Sequence, residues 1–96
     1  MIRRDGERVL VEGPVTLANV AQLIEQSAPL LAQAREVDLG GVTELDSSLL
    51  AVLIAWLRDA KGAGRELSFS RLPQDLRTLA QLYGVEQLLA QDAATR

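Results

Sequence analysis

Nine consecutive residues, Leu49–Leu57 (LLAVLIAWL), carry no polar side chain, and this run constrains the chain more than any other feature. A two-faced helix shows a polar residue every three or four positions, so a helix here must be covered on most of its circumference. At about 1.5 Å per residue the run spans about 14 Å, short of the roughly 20 residues a membrane crossing needs. It therefore reads as a buried helix within Gly40–Lys61, with the polar cluster Asp46-Ser47-Ser48 exposed at its start.

Covering such a helix takes a core, and 96 residues with 48% hydrophobic content suffice for one domain spanning 1–96. Only Trp56, Phe69 and Tyr83 are aromatic, so leucine, valine and alanine must fill that core, which suits helices packed on a small sheet. The net charge of −3, with acids and bases interspersed, argues against nucleic acid, which calls for a basic stripe with aromatic platforms. With no cysteine and no histidine, the chain lacks disulfides, thiolate nucleophiles and imidazole acid–base chemistry, and neither a metal nor another cofactor is expected. Met1–Gly6 lacks the apolar core of a signal peptide, so a cytoplasmic protein that reaches a membrane only through a partner is expected.

Taken in order, Asp5-Gly6 marks a hairpin turn between Met1–Arg4 and Glu7–Glu12. Gly13-Pro14 is expected to stop the second strand. Thr16 is a candidate cap for a helix whose apolar positions are Leu17, Val20, Ala21, Ile24, Ala28 and Leu31, with a kink or restart expected near Ala28 because Pro29 sits inside the pattern. Glu36–Leu39 reads as a short strand broken by Gly40-Gly41. After the central helix, which ends near Gly62–Gly64, Glu66–Ser70 alternates as a strand. Pro73 suits a first helical turn, Leu72, Leu76, Leu79, Ala80 and Tyr83 form an apolar face, and Gly84 closes that helix. Val85, Leu88 and Leu89 suggest a last short helix before the polar tail Gln91–Arg96. The order β-β-α-β-α-β-α-α implies an α/β fold, a largely parallel sheet with a hairpin edge packed by about four helices.

Asp46 is the natural N-cap of the central helix, its carboxylate accepting from amides two and three residues on, with Ser47 as first helical residue and Ser48 as second. A hydroxyl there faces amide donors and the positive end of the helix dipole, where a phosphate is well received. Helix-start chemistry alone accounts for all three residues; a contact or regulatory site is the sharper reading. Catalysis by Ser47 would need a base and an oxyanion hole, and Lys61 lies 14 residues, about 21 Å, along the same helix. Asp38, Glu44 and Asp46 could gather as a carboxylate cluster, but capping roles explain them as well. Gly40-Gly41 lacks the downstream Gly-Lys-Ser/Thr of a phosphate loop, and Trp56 falls at core spacing. No enzyme is expected.

Val37-Asp38-Leu39, then Val42 and the Asp46-Ser47-Ser48 cluster leading into a leucine-rich helix, resembles the signature of STAS (SpoIIAA-like) domains. Leu72-Pro73 through Leu89, with Leu76, Leu79-Ala80, Leu82-Tyr83-Gly84-Val85 and Leu88-Leu89, is similar to the ending of the MlaB-like branch, the small STAS subunits of MlaFEDB-type phospholipid transporters. The resemblance covers nearly the whole chain from Val9. It implies a non-enzymatic accessory subunit that binds an MlaF-like ABC transporter ATPase, and through it an MlaE-like permease, in a complex maintaining outer-membrane lipid asymmetry. It places this chain at the inner membrane peripherally, without direct insertion. Ser47 would be the central contact residue, flanked by Asp46 and Ser48, with Leu50 and Tyr83 as exposed apolar contacts. Many STAS domains carry glycine soon after the serine; here Leu49 and Leu50 follow Ser48, which fits a lasting protein contact better than a cycling phosphorylation site. The alternative is an anti-sigma factor antagonist phosphorylated at Ser47. Apolar surface to spare also leaves room for a homodimer of the isolated chain.

Overall fold

The computed structural model describes residues 2–90, and the polar tail expected at Gln91–Arg96 lies outside the described residues. The expected element order holds. β1 (Ile2–Asp5) and β2 (Arg8–Val15) are followed by α1 (Val20–Leu31), β3 (Glu36–Leu45), α2 (Ser47–Gly62), β4 (Ser68–Ser70), α3 (Gln74–Leu82) and α4 (Glu86–Ala90). The sheet runs β1-β2-β3-β4, with β1 antiparallel to β2 and the other two pairings parallel. Gly6 turns the hairpin at φ 67°, between Asp5 and its partner Arg8. Both parallel crossovers step the same way across the sheet. Right-handed connections therefore put α1 and α2 on one face, and they pack against each other there.

That face holds the core. Val9, Val11 and Val15 of β2, Val37 and Leu39 of β3 and Phe69 of β4 meet Leu23, Leu49, Leu53, Trp56, Leu76 and Leu89 in one cluster of buried side chains. The sequence pattern of α2 is resolved by side-chain size: its wet stripe is Ser47, Ala51 and Ala55, while Leu49, Leu50, Val52, Leu53 and Trp56 are buried. Alanine exposes too little apolar surface to matter, so a helix without polar residues still has an outside.

Five local expectations are corrected. Gly13-Pro14 does not end β2, and Gly40-Gly41 does not break β3. The strands pair on to Val15 and Leu45, and β3 uses one extra residue at each of two irregularities, between the Leu10 and Glu12 pairings and between those of Gly13 and Pro14. A bulge is where glycine and proline are tolerated inside a sheet. Thr16 does not cap α1; Asn19 precedes it, and the Thr16 hydroxyl instead accepts from the Ala18 amide in the turn before the helix. Pro29 neither stops nor restarts α1, which runs on to Leu31, where a proline near a helix's end disturbs few bonds. β4 is shorter than Glu66–Ser70, beginning at Ser68. Caps and stops fall as expected at Gly64 (φ 74°) and Gly84 (φ 71°).

Candidate functional site

The start of α2 is built by Asp46. Its backbone is extended (φ −141°, ψ −168°), and one carboxylate oxygen, Oδ1, accepts from the Ser48 amide at 2.9 Å and from the Ser48 hydroxyl. The other, Oδ2, accepts at 3.0 Å from the amide of Leu17, which stands in the turn between β2 and α1. One aspartate thus caps a helix and ties a second segment beside it. Three donors hold the carboxyl below its usual pKa, the Ser48 hydroxyl most strongly, then the Leu17 and Ser48 amides.

This cap uses Ser48 and leaves Ser47 outside it. Ser47 is exposed, and among the described residues its hydroxyl has no hydrogen-bond partner. Next to it the tethered Leu17 is 78% exposed, an anchor the sequence reading assigned to the apolar face of α1. Its position follows from the later helix start, Asn19 rather than Thr16, which puts Leu17 in the turn. The patch at this end is a free hydroxyl, a helix start capped by the Asp46 carboxylate and a bare leucine.

Two of the expected apolar contacts stand elsewhere. Leu50, expected at the surface, is 3% exposed and belongs to the core, because the outward stripe of α2 falls on Ser47, Ala51 and Ala55. Tyr83 is 60% exposed and follows α3 beside Leu82, which is also bare. The end of α3 that neighbours the C-terminus of β3 is its start, Pro73–Asp75. Tyr83 therefore lies about 13 Å further along that helix. The structure joins Asp46, Ser47, Ser48 and Leu17 into one patch and puts Leu50 and Tyr83 outside it.

A second polar construction lies on the sheet face away from the helices, and the sequence reading missed it. Leu10, Asp38 and Ser70 are aligned across three strands, as are Arg8, Glu36 and Ser68. Asp38 is 2% exposed. Arg71 donates to it from Nε at 2.9 and 3.1 Å and from Nη2 at 2.8 Å, Arg8 from Nη2 at 2.8 Å, and the Gly40 amide at 2.8 Å. The Arg71 hydrogen bonds are the main cause of its lowered pKa, aided by the Gly40 amide and Arg8 and opposed by burial. Glu36 accepts from the Ser70 hydroxyl at 2.6 Å, and Arg8 Nε, buried without a hydrogen bond, is 3.9 Å from Glu36. Gly40 leaves the space for this: a Cβ there would sit 2.6 Å from the Arg71 guanidinium. Asp38 and Asp46 are each committed in this way, and among the described residues no acidic group has the arrangement of a metal site.

Comparisons with known proteins agree with this architecture. A family model described as "Mlab, STAS domain" matches residues 1–90. Among solved structures, one described as "Crystal Structure Analysis of Mglu" is similar at a TM-score of 0.56 and 17% identity, over 77% of this chain and 20% of that one. The likeness is one of fold, and this chain corresponds to about a fifth of that protein's length. Comparison with the curated proteins found no match. Among the described residues no helix is long and apolar enough to cross a membrane.

Proposed function

The chain belongs to the MlaB-type STAS family, and from that premise we propose that it is a non-enzymatic accessory subunit of an ABC phospholipid transporter, docked on the cytosolic ATPase at the Ser47 end of α2. The observation that carries this reading is the free, exposed Ser47 hydroxyl beside the bare Leu17. A capped helix start that does not spend its first hydroxyl has a donor and acceptor in reserve, and an adjacent leucine supplies the apolar anchor of a contact. In this role the subunit works by mass action. It binds the folded ATPase, or its productive dimer, and so raises that state's population. An MlaE-like permease is reached only through the ATPase, and the chain is peripheral at the inner membrane. The Asp46 cap fixes the geometry of the contact by holding the Leu17 turn to α2.

The test is co-purification from the native host with a tagged chain, comparing wild type with Ser47→Arg and Leu17→Ala. The reading expects an ABC ATPase and permease with the wild type and their loss with Ser47→Arg, while the variant chain keeps its circular dichroism. Undiminished recovery of the ATPase with Ser47→Arg would overturn the contact. A second reading has one observation in its favour: the same free hydroxyl at a helix start is a fit acceptor for phosphate, as in an anti-sigma factor antagonist. Recovery of a kinase-like anti-sigma factor, with a mass increase at Ser47, would favour it.

A further inference from the structure

Where β4 stops, β3 does not. β4 pairs with β3 only over Glu36–Asp38, whereas β3 continues to Leu45 with β2 on its other side. Beyond Asp38, the side of β3 that faced β4 has no strand among the described residues. The cause is local. Arg71, directly after β4, adopts φ 53°, the one positive value at a non-glycine among the described residues, and its side chain returns over Gly40 to Asp38. That turn takes the chain out of the sheet, and Leu72-Pro73 then leads into α3. Strain of this kind persists only where surrounding contacts impose it, and here the Asp38 pairing does so.

What remains is an open cleft of about 210 Å³ between Val42, Thr43, Glu44 and Leu45 of the strand and Pro73, Gln74 and Asp75 at the start of α3. Unpaired edges are commonly blunted by lysine or by a covering element. This one carries no lysine or arginine, and its charged lining is acidic, Glu44 and Asp75, both exposed. We infer that the β3 edge over Val42–Leu45 accepts an extended, basic segment of a partner protein as an added strand. Main-chain hydrogen bonds would supply the pairing, as in other strand-addition interfaces. Lysine or arginine side chains of the segment would meet Glu44 and Asp75, and its alternate apolar side chains would rest on the half-buried Val42, Leu45 and Pro73. Charge selects the occupant: a lining with two carboxylates and no cation disfavours an acidic segment. The inference makes no use of Ser47 and stands apart from the ATPase contact.

The experiment titrates the isotope-labelled chain with an eight-residue peptide alternating lysine and valine. Two control peptides accompany it, one with glutamate for lysine and one with alternate backbone amides N-methylated. Amide shifts and exchange protection should concentrate at Val42–Leu45 and Gln74–Asp75, and both control peptides should fail to produce them. Glu44→Lys with Asp75→Lys should weaken binding about tenfold, the loss of two exposed charge pairs, and the milder Glu44→Gln with Asp75→Asn should weaken it less. No shift at about 1 mM peptide, shifts centred elsewhere, or binding that survives N-methylation would overturn the inference. So would protection of the edge without peptide, whether it depends on protein concentration (a second copy) or disappears on deleting 91–96 (the chain's own tail).

Discussion

Asp38 and Asp46 are eight residues apart, both with carboxyls held below their usual pKa, yet they do opposite work. Asp38 is buried, and its partners are Arg8 of β2 and Arg71 just after β4, 30 and 33 residues away. Asp46 is served by neutral donors, two of them on the next residue but one. The first joins three strands and closes the sheet's open face; the second finishes a helix and leaves its neighbour's hydroxyl unused. A charge paired with charges is structural cement, whereas a charge satisfied by backbone amides leaves the adjoining surface free for a partner.

The sharpest way to break that contrast is Asp38→Ala. It removes several charge-assisted hydrogen bonds together, and urea denaturation should show a loss of about 2 kcal/mol, moderated because both arginines remain in reach of water. Acid titration follows with a defined sign. Each carboxyl has a folded pKa below its unfolded value of about 3.9, so its contribution is complete above that value and is lost as pH falls through the lower folded one. Asp38→Asn should therefore flatten the acid limb of stability against pH, and Asp46→Asn should do so less, since asparagine still caps a helix.

Gly40→Ala probes the same pairing without touching its charges. The new Cβ would displace the end of the Arg71 side chain, and a loss of about 1 kcal/mol, with a rise in the Asp38 pKa followed by NMR, is expected. An unchanged Asp38 pKa would mean that Arg71 reaches it by another path. The smallest effect belongs to Ser47→Ala. Its exposed hydroxyl has no partner among the described residues, so thermal unfolding should move by no more than about 0.5 kcal/mol. A larger loss would mean that Ser47 belongs to the cap after all.

This contrast also marks where sequence reading works. The Asp46 cap was legible because its chemistry is local: an aspartate two residues ahead of the amide that donates to it, then an apolar run. Element order and the helix-ending glycines were legible for the same reason. The Asp38 cluster was not, because nothing in Val37-Asp38-Leu39 announces an arginine 33 residues on. Gly40-Gly41 and Gly13-Pro14 misled because punctuation residues also serve bulges, and only the neighbouring strand decides which. Leu50 was placed outside because a helix with no polar residue hides its own orientation; the small side chains of Ala51 and Ala55 were the available signal.

The order of the sheet has a consequence for how the molecule comes into being. Each strand lies beside the one preceding it in the chain. During synthesis every new strand after the first meets a strand already made, although the core they share is completed only when Leu76 and Leu89 arrive. The two parallel pairings close over longer stretches of chain than the hairpin does, and such non-local pairing is the slower part of folding. A late step in this sequence is the closure of Arg71 on Asp38, which can form only after the first 71 residues have emerged.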